Sequence, residues 1–212
     1  MDDRWADRTA AGQALGAAVA ALDLPDPVVL GLARGGVEVA APVAALLRAP
    51  LDVLVVRKVG HPAQRELGLG AVAEDGPVVW DAHGLAEARL TPADLADAVA
   101  AERAECRRRV SAYRGGRAPA RLAGRTAVLV DDGVATGVTA RAAVRAVGET
   151  GALRIVLAAP VVAAATVPLL EAEGAEVVAL LAPRRFGAVS RWYADFGQTP
   201  DATVIALLTP SG

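Results

Sequence analysis

The chain has 212 residues, enough for one domain with a full hydrophobic core. Hydrophobic residues make up 54% of it and aromatic residues 3%, which excludes a disordered chain and argues against a surface built on aromatic stacking. The 22 basic and 24 acidic residues give a formal net charge of −2, so we do not expect nucleic acid as the main partner.

Cysteine and histidine are too scarce for the common disulfide and metal frameworks. Cys106 is the single cysteine, and His61 and His83 are the only histidines. The N-terminal residues are charged and lack an apolar stretch, and the apolar run over residues 155–170 is interrupted by Pro160 and Pro168. We therefore expect no signal peptide, no membrane span and a cytoplasmic location.

Hydrophobic periodicity predicts that helices and strands alternate along the chain. Helical spacing covers residues 7–22, 37–47, 91–113, 138–147 and 163–173, with a short final helix from residue 199. Continuous apolar runs predict buried strands over 27–32, 51–56, 126–130, 153–158 and 175–181, with a loop over 61–70 and two short strands between 70 and 80. This order predicts an α/β fold with a doubly wound, mainly parallel sheet of about five strands, covered by helices on both faces.

The most informative stretch, residues 128–139, reads VLVDDGVATGVT. A buried strand ends in Asp131 and Asp132, a turn of small residues follows, and a helix begins. Ligands of open α/β sheets bind at the carboxyl ends of strands, and a helix N-terminus favours an anion. Gly133 and Gly137 would let the backbone approach that anion closely. The stretch is therefore predicted to bind one phosphate.

The two acids distinguish this loop from other phosphate-binding loops. It lacks the Gly-Lys-Ser/Thr of a P-loop and the G-x-G-x-x-G spacing of a dinucleotide site. Carboxylates only accept hydrogen bonds, so acids near a phosphate suit the vicinal hydroxyls of a sugar phosphate. The alternative is that Thr136 and Thr139 only cap the helix and that the acids are solvated.

The segment resembles the 5-phosphoribosyl-1-diphosphate (PRPP) motif of type I phosphoribosyltransferases. Four apolar residues, two acids, a loop of small residues and Thr-Gly-x-Thr match that motif in order. The resemblance extends from about residue 5 to residue 208, to a subgroup of predicted phosphoribosyltransferases with poorly defined acceptors. It is carried further by residues 31–37 (GLARGGV), 52–58 (DVLVVRK), 113–117 (YRGGR) and 186–196 (FGAVSRWYADF).

The resemblance implies one domain over residues 1–212, with a hood from residues 1–24 and 183–212. It implies that the ribose 5-phosphate is bound by Gly133, Val134, Ala135, Thr136, Gly137 and Thr139. It implies that pyrophosphate is bound by Ala33, Arg34, Gly35, Gly36, Arg57 and Lys58. The implied catalytic residues are Asp131, Asp132, Lys58 and Glu66, and Asp131 and Asp132 would hold Mg²⁺ directly or through water.

For several of these segments a purely structural interpretation is also open. Residues 33–36 could be an ordinary turn between a strand and a helix, and Arg57-Lys58 a solvated strand end, although Lys58 is the only lysine. The arginine-rich residues 103–125 are a solvated helix face and linker, or hold a phosphorylated ligand or partner subunit.

Two further segments would lie over the reacting sugar. Residues 59–73 take the place of the family's mobile loop, from which Gln64 and Glu66 could reach the site. The aromatic residues between 186 and 196 either stack a planar acceptor or pack as a small satellite core.

The activity implied by the resemblance is Mg²⁺-dependent transfer of the 5-phosphoribosyl group from PRPP to a nucleophilic acceptor, with release of pyrophosphate. The acceptor is a nucleobase, or another amine or hydroxyl in a specialised pathway. A non-catalytic PRPP or nucleotide sensor on the same fold is the alternative. The family also implies a homodimer, and we expect neither a nucleic-acid partner nor a membrane.

Overall fold

The computed structural model describes residues 4–74 and 76–209, except for the side chains of Arg65 and Glu66. The helices are α1 (Arg8–Ala20), α2 (Gly35–Leu47), α3 (Ala82–Ala88), α4 (Ala96–Arg114), α5 (Val138–Gly148), α6 (Val167–Ala172) and α7 (Asp201–Leu208), with short 3₁₀ helices at Pro92–Leu95 and Val189–Trp192. The strands are β1 (Pro27–Leu32), β2 (Leu51–Leu54), β3 (Val56–His61), β4 (Gln64–Ala73), β5 (Val78–Trp80), β6 (Thr126–Val130), β7 (Arg154–Val161) and β8 (Glu176–Leu181).

Five strands form a parallel sheet in the order β2-β1-β6-β7-β8. The central strands β1 and β6 pair from Pro27–Thr126 to Gly31–Val130, so their carboxyl ends lie side by side. The residues that follow these two strands therefore meet at one edge of the sheet. The predicted mainly parallel, doubly wound sheet is confirmed.

The sheet is buried on both faces, as its continuous apolar strands require. On one face, Leu30 and Leu129 pack against α5 and α6. On the other face, Val29 and Val128 pack against α1 and α2. Alternate residues of each strand thus pack into the two cores. The two acids that follow β6 lie outside both cores and are available to bind a ligand. No helix in the described part of the chain is both long and apolar enough to cross a membrane.

A second, antiparallel sheet contains β3, β4 and β5. The chain leaves the main sheet after Leu54 and turns back in a hairpin, in which Val56 pairs with Ala73 and His61 with Gln64. The predicted single strand over 51–56 is therefore two strands in different sheets. The predicted loop over 61–70 is wrong, because most of it is β4.

The sequence did not predict β4 because this strand is stabilised by pairing with β3 and not by its own strand propensity. Gly60, Gly68 and Gly70 weaken the strand signal of the hairpin, since glycine has no side chain to pack. The hairpin is held instead by backbone hydrogen bonds and by Val59 and Leu69, which are buried. Val59 and Leu69 pack with Leu85 and Leu95, which lie outside the local pattern of the hairpin.

The two segments expected to form a hood contact each other. Trp5 and Tyr193 form a parallel bridge, the Trp5 N–H donates to the Trp192 carbonyl at 2.8 Å, and the Asp195 N–H donates to the Ala6 carbonyl at 3.0 Å. Helix α1 packs along α2 and the sheet, and α7 packs against α4. The contacts with residues 192–195 are thus made by Trp5 and Ala6, ahead of α1.

Candidate active site

Asp131 and Asp132 follow β6 at the edge where the central strands end. Both residues are mostly buried, and Asp131 Oδ1 accepts a hydrogen bond from the Asp132 N–H at 2.9 Å. Burial raises the pKa of Asp131 above its usual range, the nearby Asp132 carboxylate raises it further, and Lys58 partly opposes the shift. Burial also raises the pKa of Asp132, while the neighbouring Arg8 guanidinium opposes that shift.

Arg8, the first residue of α1, contacts this acid pair. Its Nε donates to Asp132 Oδ2 at 2.9 Å, and only 8% and 16% of the two side chains are exposed. Its Nη1 donates to the Gly197 carbonyl at 2.7 Å, and its guanidinium lies 4.0 Å from the centre of the Phe196 ring. Sequence reasoning missed Arg8, because nothing in the local pattern links it to residues more than a hundred positions away.

The predicted phosphate loop is anchored to the neighbouring strand. The Val134 N–H donates to the Val161 carbonyl at 2.9 Å, and the Val134 carbonyl accepts from the Ala163 N–H at 2.8 Å. Thr166 Oγ1 donates to the Ala135 carbonyl at 2.6 Å. Because both backbone groups of Val134 are used and its side chain is buried, this residue fixes the loop in place.

Helix α5 begins directly after this loop. Gly137 is its N-cap with φ +77°, and a Cβ there would lie 2.4 Å from Thr166 Cγ2. The Arg141 N–H donates to the Gly137 carbonyl at 2.8 Å, so the N–H groups of the first turn point toward the loop without helical partners. The N-cap is a glycine without a side chain, and neither Thr136 nor Thr139 accepts a capping hydrogen bond among the described contacts.

The glycine turn at the start of α2, formed by Gly35 and Gly36, lies against the same two acids. A Cβ on Gly35 would lie 2.1 Å from Asp132 Oδ2, and a Cβ on Gly36 would lie 2.5 Å from the Val130 carbonyl oxygen. Only glycine lets α2 begin this close to the end of β6. The adjoining Ala33–Arg34 peptide is cis. The N-termini of α2 and α5 therefore flank the acid pair.

Arg57 and Lys58, which are adjacent in β3, have different surroundings. Lys58 is exposed, and its positive charge is close enough to lower the pKa of Asp131. Arg57 Nε donates to Glu102 Oε2 of α4 at 2.8 Å. The structure thus brings Lys58 toward the acids and engages Arg57 elsewhere, and the pyrophosphate role of Arg57 stays a prediction.

Glu66, the remaining predicted catalytic residue, belongs to β4. Its side chain lies outside the described part of the chain, so its catalytic role stays a prediction. His61, the last residue of β3, accepts a hydrogen bond at Nδ1 from the Ala63 N–H at 3.1 Å.

A cleft of about 390 Å³ opens beside Asp132. It lies between the start of α2 and the chain that follows the 3₁₀ helix Val189–Trp192, and is lined by Arg8, Arg34, Gly35, Asp132 and residues 196–199. A larger cavity of about 550 Å³ lies toward the C-terminal end of α5. Its lining includes none of the predicted site residues, so size alone does not locate the site.

The aromatic residues near the cleft pack on one another. The ring centres of Phe186 and Trp192 are 6.2 Å apart, and those of Tyr193 and Phe196 are 5.1 Å apart. Phe186 and Tyr193 are buried, and the Tyr193 hydroxyl donates to the Asp132 carbonyl at 2.5 Å. These contacts favour the satellite core over a stacking platform.

The sequence matches the phosphoribosyl transferase domain family over residues 10–182, a range that contains both glycine turns and the acid pair. The chain belongs to this family. It is 44% identical over 202 residues to a Mycobacterium tuberculosis protein named "Putative phosphoribosyl transferase Rv0571c", covering 95% of this chain and 46% of that protein. The chain thus spans about half the length of the curated relatives it matches.

A solved structure of similar length matches this chain more completely. TT1426 from Thermus thermophilus is 46% identical in sequence, with a TM-score of 0.80 and 97% of both chains covered. The family and fold that the sequence predicted are therefore confirmed.

Proposed function

We propose that this chain transfers the 5-phosphoribosyl group of PRPP to a nucleophilic acceptor and releases pyrophosphate. The observation that carries the proposal is that two helix N-termini, those of α2 and α5, flank one pair of acids. PRPP has matching chemistry, because its ribose hydroxyls lie between a 5-phosphate and a diphosphate. Each helix start would bind one phosphate group through backbone N–H groups.

The reaction needs little covalent chemistry from the protein. The bond between ribose C1 and the diphosphate oxygen breaks, and its electron pair leaves with pyrophosphate. A lone pair of the acceptor forms the new bond to C1, and the acceptor loses a proton. Asp131 and Asp132 would bind the ribose hydroxyls and stabilise the positive charge that develops on the ring, while Lys58 would bind the leaving diphosphate.

The acid pair fits the Mg²⁺ that the family implies. In the described contacts each carboxylate uses one oxygen, with the Asp132 N–H and the Arg8 guanidinium, which leaves the other oxygen of each for a ligand. No group of three or more acidic, histidine or cysteine side chains placed to hold a metal occurs among the described residues. Mg²⁺ is commonly held by one or two carboxylates with phosphate oxygens and water, and it would neutralise the charge of the diphosphate.

The test is isothermal titration of PRPP with MgCl₂ into the wild type, Asp131→Asn and Asp132→Asn. Release of pyrophosphate is followed in the same samples with a panel of bases and amines, and with EDTA in place of MgCl₂. The proposal expects PRPP binding that either substitution weakens, and pyrophosphate release that needs both an acceptor and Mg²⁺. Asp26→Asn, which alters an exposed carboxylate paired with Arg125, is the control.

The outcomes separate the proposal from its rival. Binding that leaves PRPP unchanged with every acceptor would support the sensor. No binding of PRPP would overturn both readings of the site.

A further inference from the structure

We infer that Arg114 and Glu74 are positioning residues for the proposed transfer of the 5-phosphoribosyl group. Their ion pair fixes the root of the β3–β4 hairpin to the main sheet, and the hairpin in turn holds Lys58 on the side of the acid pair. Both residues line the cavity of about 550 Å³ that contains none of the predicted site residues, so they act from outside the site. This inference rests on the proposed function and adds to it the residues that locate Lys58.

The first observation concerns Lys58, whose charge would bind the leaving diphosphate. In the described contacts its side chain makes no hydrogen bond or ion pair with the protein. A lysine side chain is flexible, so the backbone of β3 decides where this charge lies. Lys58 pairs with Ala71 of β4, two positions from the root of the hairpin, where Val56 pairs with Ala73. A shift of the root therefore moves the charge relative to the acid pair.

Arg114, the last residue of α4, links this root to the main sheet. Its Nη1 and Nη2 donate to the two carboxylate oxygens of Glu74 at 3.1 and 3.4 Å, and Glu74 directly follows β4. Its Nε donates to Asp52 Oδ1 at 3.1 Å, and its Nη2 also donates to the Val53 carbonyl at 2.9 Å. Asp52 and Val53 belong to β2, the edge strand of the main sheet. One guanidinium therefore joins the hairpin to that sheet.

This network is buried and fixed in its geometry. The exposed fractions of the Arg114, Asp52 and Glu74 side chains are 10%, 8% and 16%. The Ala120 N–H donates to Asp52 Oδ2 at 2.9 Å, so both oxygens of this carboxylate are used. A guanidinium that donates to a carboxylate through two N–H groups fixes orientation as well as distance. The network can therefore set the direction in which the hairpin leaves the main sheet.

The other side of the hairpin is held differently. There Ala71 and Val79 pack with Ala142 of α5 in a small apolar cluster. Apolar contacts are non-directional, so they favour burial of this side without fixing its orientation. The orientation of the root is therefore expected to depend on the Arg114 network.

A second ion pair between α4 and the hairpin provides the comparison. Arg57 Nε donates to Glu102 Oε2 at 2.8 Å, and the two side chains are 33% and 27% exposed. This pair is a single hydrogen bond, is more exposed than the Arg114 network, and does not include a residue of the main sheet. Pairs of this kind contribute little. Its loss should therefore leave the root of the hairpin in place.

The experiment measures PRPP affinity by calorimetric titration in the presence of MgCl₂. Glu74→Gln keeps the size of the side chain and removes its charge, while Asp52 still pairs with Arg114. Glu102→Gln is the matched control, because it makes the same chemical change in the exposed pair. Each substitution is made in the wild type and in Lys58→Gln, so that the two backgrounds show whether an effect passes through Lys58.

We expect Glu74→Gln to weaken PRPP binding about fivefold in the wild type and less than about twofold in Lys58→Gln. Glu102→Gln should change the affinity by less than about twofold in both backgrounds. Arg114→Lys should repeat the loss seen in Glu74→Gln, because an ammonium keeps the charge but lacks the fork of donors that reaches three groups at once. A residue that only stabilised the fold would not show this dependence on Lys58.

Hydrogen exchange of the ligand-free proteins supplies a second measurement. In Glu74→Gln the backbone amides of β3 and β4 should exchange about tenfold faster than in the wild type, while those of β7 and β8 are unchanged. The unchanged strands also show that the variant is folded.

Three results would overturn the inference. The first is a PRPP affinity in Glu74→Gln equal to that of the wild type. The second is an equal loss in the Lys58→Gln background, because Glu74 would then not act through Lys58. The third is exchange that rises equally in all strands, because the ion pair would then only stabilise the protein as a whole. If the wild type itself fails to bind PRPP, the proposed function is wrong, and the exchange measurement still decides whether the ion pair fixes the hairpin.

Discussion

Arg8 Nε and Asp132 Oδ2 lie 2.9 Å apart although 124 positions separate them in the sequence. The same guanidinium donates to the Gly197 carbonyl and covers the Phe196 ring. One side chain of α1 therefore connects the end of β6 with the chain that follows the 3₁₀ helix Val189–Trp192. The acid pair and the cleft beside it are held by this contact.

Arg8→Gln should consequently destabilise the protein more than loss of an ordinary ion pair. Removing one partner of a buried pair leaves the other charge uncompensated, which costs about 3 kcal/mol. Arg125→Gln is the matched control, because Arg125 pairs with Asp26, whose side chain is 68% exposed, and should cost about 0.5 kcal/mol. Urea denaturation at neutral pH measures both values. Equal losses would show that the Arg8–Asp132 pair is no more important than a surface pair.

Asp131→Asn should lower activity and raise stability at the same time. Burial, reinforced by the Asp132 charge, raises the pKa of Asp131 above its ordinary value of 3.8. Between the unfolded and folded pKa values the folded state binds more protons, so the free energy of unfolding falls as pH rises. Asparagine cannot ionise and removes that loss, while turnover falls about a hundredfold because a charge-stabilising group is gone.

The stability effect can be measured by thermal unfolding of the wild type and Asp131→Asn. Each pH unit between the unfolded and folded pKa values lowers the free energy of unfolding of the wild type by about 1.4 kcal/mol, so Asp131→Asn should melt at least about 3–6 °C above the wild type at pH 8. The difference should shrink as the pH falls toward 3.8, because below that value the carboxyl is protonated in both the folded and the unfolded state. An Asp131→Asn protein that melts below the wild type at pH 8 would contradict the raised pKa.

Lys58→Gln and Arg57→Gln should separate binding from stability. Lys58 is exposed on the side of the acid pair, so its loss should weaken PRPP binding about tenfold with little change in Tm. Arg57 pairs with Glu102, so its loss should lower stability by about 0.5–1 kcal/mol and leave PRPP affinity nearly unchanged. Calorimetric titration and thermal unfolding of both variants provide the comparison. Equal losses of PRPP affinity in the two variants would indicate that Arg57 also binds the pyrophosphate group.

The sequence predicted those parts of the site that lie within one local pattern. The stretch from β6 to α5 could be predicted because a buried strand, two acids, small residues and a helix start follow one another directly. The glycine turn before α2 could be predicted for the same reason. Parallel pairing then brings the two turns to one edge of the sheet.

The parts that depend on distant contacts could not be predicted. Arg8 gains its position from α1, and no local spacing links it to the acid pair. The β3–β4 hairpin was missed because its glycines lower strand propensity while backbone pairing provides the stability. Helix α3 was also missed, although Asp81 caps it by accepting hydrogen bonds from the His83 and Gly84 N–H groups.

Gly137→Ala should lower the free energy of unfolding by more than the general penalty for placing alanine at positive φ. Gly137 has φ +77° and its Cβ would lie 2.4 Å from Thr166 Cγ2, whereas Gly174 has φ +92° and nothing within 4 Å of its Cβ. Gly174→Ala should therefore show the backbone penalty alone, about 1–2 kcal/mol, and leave PRPP affinity unchanged. Gly137→Ala should lose about 1–3 kcal/mol more through the clash, and weaken PRPP binding because the start of α5 shifts.

Thr166→Ser identifies the clash directly. Serine lacks Cγ2 but keeps the hydroxyl that donates to the Ala135 carbonyl at 2.6 Å. In the Gly137→Ala/Thr166→Ser double variant the extra loss should disappear, which gives a coupling free energy of about 1–3 kcal/mol in a double-mutant cycle. Urea denaturation measures the stability and calorimetry the PRPP affinity. Additive effects would mean that the Thr166 methyl group does not cause the extra loss, and that the loss at position 137 comes from the backbone alone.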